Sequence, residues 1–347
     1  MCFRDDTTRF GPEIAATWAK WSHRFSANWS STNAAWQPDN RDMFAEMFNT
    51  SSTVAGMCAA GLALLVIGGL AATRDVAESR GFDKIVALRH VCFATPLAIF
   101  GALHLFGPRF VTSLVPPYMP WRGFWVYAVG AALVATSVSI ATKVEVRWSG
   151  LLFGIMMFLF VAMIHLPGAL ARRPYDRVIW TIVFREMSFG GAGWIFAGMA
   201  MDGWRRQGSR PLVAVGQALV VTAMLVFAVE HFMHPLLLPG VPLVKEMPPW
   251  IPGRVAVDYV TGAALLVAAG SVLLKKHTRT VTTCLGGWIL LLILVIYVPM
   301  MIVALSDPGT PVKLEGVNYF ADTLLFAGGI LALAGAHDGA SAPRGGG

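Results

Sequence analysis

The residues able to move a proton are few in an otherwise apolar chain, and they fall at the ends of apolar runs. Glu230, His231 and His234 lie together at the end of one run, and His104 ends another. An imidazole beside a carboxylate can take up and release a proton near neutral pH. Glu230-His231-x-x-His234 with His104 is therefore the candidate catalytic set. Glu230 and His234 are four residues apart, a spacing that puts both on one face of a helix. His165, the pair Arg185-Glu186, Asp258 and Asp322 sit at the ends of other runs. Arg122 and Arg254 each follow a proline-rich loop and open a helix, where the dipole disfavours a positive charge. An anionic partner, either a lipid phosphate or a carboxylate of the cluster, would relieve that conflict. Arg122, Arg254, His165 and Glu186 are the candidate cofactor-binding residues. For each of these groups, snorkelling or hydrogen bonding at a helix end is the alternative reading.

No metal ligand is assigned. A zinc ion on His231, His234 and a carboxylate, or a haem held between His104 and His231, would use residues that exist, but no known metal spacing is matched. Cys2, Cys58, Cys92 and Cys284 form no C-x-x-C pair, and three fall in apolar runs. They read as small core hydrophobes rather than a dithiol centre. Gly190-Gly191-x-Gly193 follows no strand, so it serves close helix packing rather than nucleotide binding.

The elements that must position these groups follow from composition. Hydrophobic residues are 56% of the 347 and charged residues 14%, with a mean hydropathy of +0.60. A soluble domain carries about 25% charged residues, so a water-covered globule is excluded. Charge in hydrocarbon costs about 2.5–3.5 kcal/mol at mid-helix and less towards the ends. A cluster near one end is tolerable there and could line a polar pocket open to that side. A membrane helix takes about 20 apolar residues. Nine runs qualify: 53–73, 85–106, 123–142, 149–167, 179–200, 211–233, 255–274, 281–304 and 317–336. They are too long for the strands of a barrel. The fold class is all-α, a polytopic membrane helical bundle.

The formal charge is +7, with the basic residues mostly between runs. Lipid headgroups are the implied partner, and no basic patch interleaved with aromatics points to nucleic acid. The connections holding Arg74, Arg80, Lys143, Arg205, Lys275 and Arg279 carry more Lys and Arg than the opposite set with Arg109, Arg173, Arg177 and Lys245. That modest bias places the first set and the C-terminus in the cytoplasm. Residues 1–50, polar and Trp-rich, read as a surface segment, a tail, or sequence upstream of a start at Met43 or Met47. Residues 337–347 read as a disordered tail.

The chain repeats itself. Val115-Pro116-Pro117-Tyr118-Met119-Pro120-Trp121-Arg122 matches Met247-Pro248-Pro249-Trp250-Ile251-Pro252-Gly253-Arg254, 132 residues on. The match continues through Tyr127/Tyr259, Lys143/Lys275, Arg147/Arg279 and Pro167/Pro299. Upstream, His104 and Pro108 match His231 and Pro235 if the second copy carries five extra residues. Downstream, Gly191 and Gly198 match Gly328 and Gly335 with a small further shift. The expected organisation is an extra helix in 51–80, a first four-helix unit in 81–204 and a second in 205–336. An even number of helices per unit gives both copies one orientation, related by an axis along the membrane normal.

The repeated signature is a helix ending in His, then Pro, a Val-Pro-Pro-x-x-Pro loop and a helix with Tyr-x-x-Gly. It resembles the DoxX-like family of four-helix membrane proteins, best over Ile99–Leu133 and more weakly over Met233–Val267. The resemblance implies a tandem of two four-helix bundles in a bacterial inner (cytoplasmic) membrane. Some family members are tied to quinone-linked sulfur oxidation or to thiol and oxidant homeostasis. It therefore implies a redox-associated subunit, with quinone as cofactor and an oxidoreductase as partner. The absence of paired cysteines weakens a thiol role. A small-molecule or lipid transporter fits parallel repeats and a polar pocket equally well, and an assembly subunit without a site of its own is the third reading.

Overall fold

In hydrocarbon a backbone must satisfy its own N–H and C=O groups, and this chain does so with helices. The computed structural model describes residues 51–172, 176–201 and 209–337. The 1–50 segment and residues 338–347 of the expected C-terminal tail lie outside the described residues. The long helices are α1 (Ser52–Glu78), α2 (Arg89–Phe106), α3 (Arg122–Thr142), α4 (Val146–Phe160), α5 (Arg177–Met201), α6 (Ser209–Met233), α7 (Arg254–Leu273), α8 (Thr278–Leu292) and α9 (Thr310–Gly335). The only extended pairing among the described residues is one isolated bridge, Leu237 with Glu246.

Eight of these segments are long and apolar enough to cross a membrane. The ninth expected span, α5, has the length but carries Arg177, Arg185 and Glu186. Its charges point into protein rather than lipid: Glu186 is buried, and the Arg185 side chain is only 16% exposed.

The order of packing explains why α5 tolerates them. α2 packs on α3, α3 on α4 and α4 on α5; in the same way α6 packs on α7, α7 on α8 and α8 on α9. Two further contacts close the arrangement, α5 on α6 and α9 on α2, while α5 and α9 also meet each other. α2 and α9 are therefore mostly buried, whereas α1 and α4 expose most of their surface. Residues 49–347 form one compact unit.

Small residues set the closest crossings, since packing rather than water exclusion holds helices together in lipid. A Cβ on Gly191 would lie 2.8 Å from the carbonyl oxygen of Gly216, and one on Gly150 2.5 Å from that of Gly193. The Gly190–Gly193 stretch thus does the packing expected of it. Phe93, Phe153 and Phe196 fill the space between these crossings.

The same backbone events recur 132 residues apart. α4 runs into a π-turn over Val161–His165 and α8 into one over Ile293–Tyr297. A non-glycine residue at positive φ is uncommon. Those described here are Trp121, Lys143, Glu145, Lys275 and His277, and Gly253 joins them at φ 66°. Trp121 stands opposite Gly253 in this register, Lys143 opposite Lys275, and Glu145 opposite His277. After the first π-turn, Pro167 has no N–H to give the Met163 carbonyl. The Tyr118 hydroxyl, from the proline-rich loop, donates to that carbonyl instead.

The two proline-rich loops differ in burial. Tyr118 and Trp121 are exposed, whereas Leu238, Val241 and Met247 are buried. The longer second loop folds back onto the bundle. The Leu238 N–H donates to the Lys245 carbonyl at 2.9 Å, and the Met247 N–H to that of Leu236 at 2.7 Å.

Candidate functional site

The polar residues at this end form three buried knots. In the first, Arg177 opens α5 and reaches Glu230 near the end of α6, Nη1 to Oε2 at 2.6 Å. The same guanidinium donates to the carbonyls of Pro242 at 2.7 Å and Leu243 at 2.5 Å, and the Thr181 hydroxyl donates to Glu230 Oε1 at 2.6 Å. Glu230 is thus a paired, buried carboxylate that ties α5, α6 and the folded-back loop together.

In the second knot, Arg185 Nη1 lies 2.7 Å from Asp322 on α9, and its Nη2 lies 2.8 Å from Glu186. His165, at the end of the first π-turn, lies within electrostatic range of both Glu186 and Arg185. Two carboxylates share one guanidinium here, with the His165 imidazole beside them, so a single proton on this group of residues balances its charge.

In the third knot, His231 is fully buried, with Nδ1 2.9 Å from Asp258 Oδ1 at the start of α7. Its Nε2 accepts the Gly240 N–H at 3.1 Å. That acceptor role places the ring proton on Nδ1, facing Asp258, by the logic of the hydrogen-bond network. Tyr297 donates to the Pro239 carbonyl at 2.7 Å and sits within electrostatic range of Asp258, Asp322 and Tyr319. The loop therefore lies over the third knot, held from below by His231 and Tyr297.

Lys245 belongs to the same cover. Its Nζ lies 3.3 Å from Glu315 Oε2, and its backbone N–H donates to the Tyr319 hydroxyl at 3.2 Å. Burial pushes the Lys245 ammonium below the usual lysine value, and the Glu315 carboxylate opposes part of that shift.

Against the expected set, Glu230, His231 and Glu186 are buried and engaged at this end, and His165 stands close to Glu186. The folded-back loop lies over these residues, with Leu238, Val241 and Met247 buried. His234 is not part of the cluster. α6 ends at Met233, Pro235 stops the helix, and the His234 carbonyl accepts the Leu236 and Leu237 N–H groups at 2.8 and 3.2 Å. His234 is therefore exposed at the helix end, although its N–H still donates to the Glu230 carbonyl at 2.8 Å, the bond of a last helical turn. His104 lies 2.7 Å from the Phe100 carbonyl through Nδ1, a contact within its own helix. Arg122 is exposed. Arg254 finds the Met247 carbonyl of its own proline-rich loop at 3.0 Å rather than a carboxylate.

No protein-family model, curated protein or solved structure matches this chain. Among the described residues no group of three or more His, Cys, Asp and Glu could hold a metal ion. Both ring nitrogens of His231 are engaged, so it presents no lone pair to an iron. Cys58, Cys92 and Cys284 are free thiols.

Arg177, Lys245, Glu315 and Tyr319 escaped the sequence reading. Arg177 and Lys245 look like topology markers in the sequence, and nothing in one dimension pairs them with Glu230 and Glu315. The usable signal was the scarcity of charge: a carboxylate inside an apolar run needs a cation, and the nearest loops hold few.

Proposed function

We propose that this chain is a membrane transporter built from two DoxX-like four-helix units, 81–204 and 205–336, with the 51–80 helix outside the repeat. We place it in a bacterial cytoplasmic membrane with its C-terminus in the cytoplasm. The matched π-turns and the paired left-handed residues support the duplication. The Arg185–Asp322 pair carries the functional reading. Gly191 and Gly328 are equivalent positions 137 residues apart, and the same shift takes Arg185 to Asp322. Equivalent positions of the two copies thus hold opposite charges where α5 meets α9. Transporters of repeated architecture place their coupling sites at the interface between repeats, and ionisable groups at membrane depth mark ion and proton paths. Arg185, Glu186 and Asp322 form the coupling site, and the knot exchanges the one proton that neutralises it as a small solute moves between the halves.

The quinone-linked reading of the same family resemblance has less support, because His231 is committed to Asp258 and Gly240 on both sides. The two readings part in one experiment. Purified protein in liposomes, loaded with a pH-sensitive dye, is challenged with a panel of small metabolites under an imposed pH gradient. Solute-dependent proton entry that Asp322→Asn abolishes is expected. No response to any solute, together with a stoichiometric quinone in an oxidised-minus-reduced spectrum, would move the assignment to a redox subunit.

A further inference from the structure

A cleft of about 450 Å³ opens at the opposite end of the bundle. The first residues of α2 (Arg89, His90) and α4 (Val146, Arg147) line it. So do Lys143 just past α3 and the last turns of α5 (Phe196, Met199). Its size falls within the range of about 300–1,000 Å³ typical of small-ligand sites.

Among the described residues the lining is mostly basic. Arg89, Lys143 and Arg147 stand with Glu145 in the wall, and Asp75 on α1 lies within electrostatic range of Lys143, His90 and Arg89. Arg147 and Lys143 each have a carboxylate partner. Arg147 lies 3.3 Å from Glu145, two residues before it, with both side chains more than two-fifths exposed. Such exposed pairs contribute little. Lys143 reaches out to Asp75 on α1. His90 is the informative residue. Its Nδ1 is buried without a hydrogen-bond partner while its ring rests on Phe196, centroids 5.2 Å apart. Buried polar atoms nearly always have partners, and this one lines the cleft.

The second copy gives an internal comparison, which rests on the duplication reading. Lys275 and Arg279 stand where the first copy has Lys143 and Arg147. There the short helix Asp83–Ala87 packs against α8 and α9, and its Asp83 carboxylate sits 2.9 Å from Arg279. The chain supplies an anion to the second arginine from a distant segment. The first arginine has only its neighbour Glu145.

We propose that this cleft binds a phosphate-bearing anion. A tetrahedral oxyanion can engage several cations at once, and guanidinium groups match phosphate oxygens in pairs. Arg147, Lys143 and Arg89 supply the charge and His90 the missing hydrogen bond. Val146, Phe196 and Met199 give a surface for the carbon part of the ligand. A lipid headgroup and a soluble phosphate share this chemistry.

The test uses the full chain in dodecyl maltoside, a detergent without phosphate. Tm is followed while inorganic phosphate is added in one series and short-chain phosphatidylglycerol in another. A saturable rise in at least one series is expected. A response to inorganic phosphate identifies a soluble ligand, and a response to the lipid alone identifies a headgroup site. Arg147→Gln, which removes one charge-assisted contact, should raise the half-saturating concentration about tenfold. Lys143→Gln serves if that variant is poorly folded. Arg279→Gln, outside the cleft, should leave the titration unchanged. No rise in either series, or equal weakening by Arg147→Gln and Arg279→Gln, would overturn the proposal. Because the readout is binding at the other end of the bundle, it is independent of the proton-coupling test.

Discussion

Arg185 answers two carboxylates, and its company decides what its loss does. Replacing it with leucine leaves Asp322 and Glu186 buried without a counter-charge. Breaking a buried pair in this way costs about 3–5 kcal/mol, whereas replacing both partners with apolar groups costs far less. Arg185→Leu should therefore collapse the Tm of the detergent-solubilised protein, and Arg185→Leu with both Glu186→Gln and Asp322→Leu should recover much of it. A triple variant no better than the single one would mean that the three residues are not a unit. At this scale the sequence was half legible. Glu230, His231, Glu186 and Asp322 stood out because they interrupt apolar runs. Their pairings did not, since Arg177 is 53 residues from Glu230 and Arg185 is 137 from Asp322. His234 keeps its helical bond to the Glu230 carbonyl but is exposed beside Pro235, which spacing alone does not show.

The helices were legible in the sequence because hydrocarbon leaves the backbone almost no alternative. Their crossings were legible only as a tendency towards glycine. A Cβ on Gly216 would lie 2.4 Å from the Gly191 carbonyl oxygen, so α6 and α5 would have to part. Gly216→Leu should destabilise by at least the cost of about 1–3 kcal/mol expected for overpacking, read as a lower Tm and a broadened elution profile. Gly69→Ala, where nothing lies within 4 Å, should be neutral or slightly stabilising. Equal effects from both would contradict the crossing. The loop over 234–253 was the element that the sequence concealed. Its five extra residues were visible, but their fold-back onto His231 and Tyr297 depends on hydrogen bonds from groups remote in the chain.

Across the whole molecule, the contacts between the halves are as important as those within them. α5 packs on α6, α9 on α2, and α5 on α9. A chain divided between 204 and 205 and expressed as two fragments should therefore reassemble, the two parts co-purifying through a tag on either one. Each fragment alone should be poorly folded, because α2 and α9 would expose faces that the intact protein buries. Two independently stable fragments would refute the interlocked arrangement. Composition alone determined that this is a helical protein with spans of membrane length, because a chain with so little charge has no other way to bury its backbone. Internal similarity pointed to two copies, and the scarcity of charge pointed to the residues worth watching. Only the tertiary structure decided which charges neutralise which, that a loop folds back over the histidine end while a cleft lies at the basic end, and that α5 carries its charges inward. The physical reason is that solvent and lipid act on each residue type locally, whereas an ion pair or a closed loop depends on groups brought together from far along the chain.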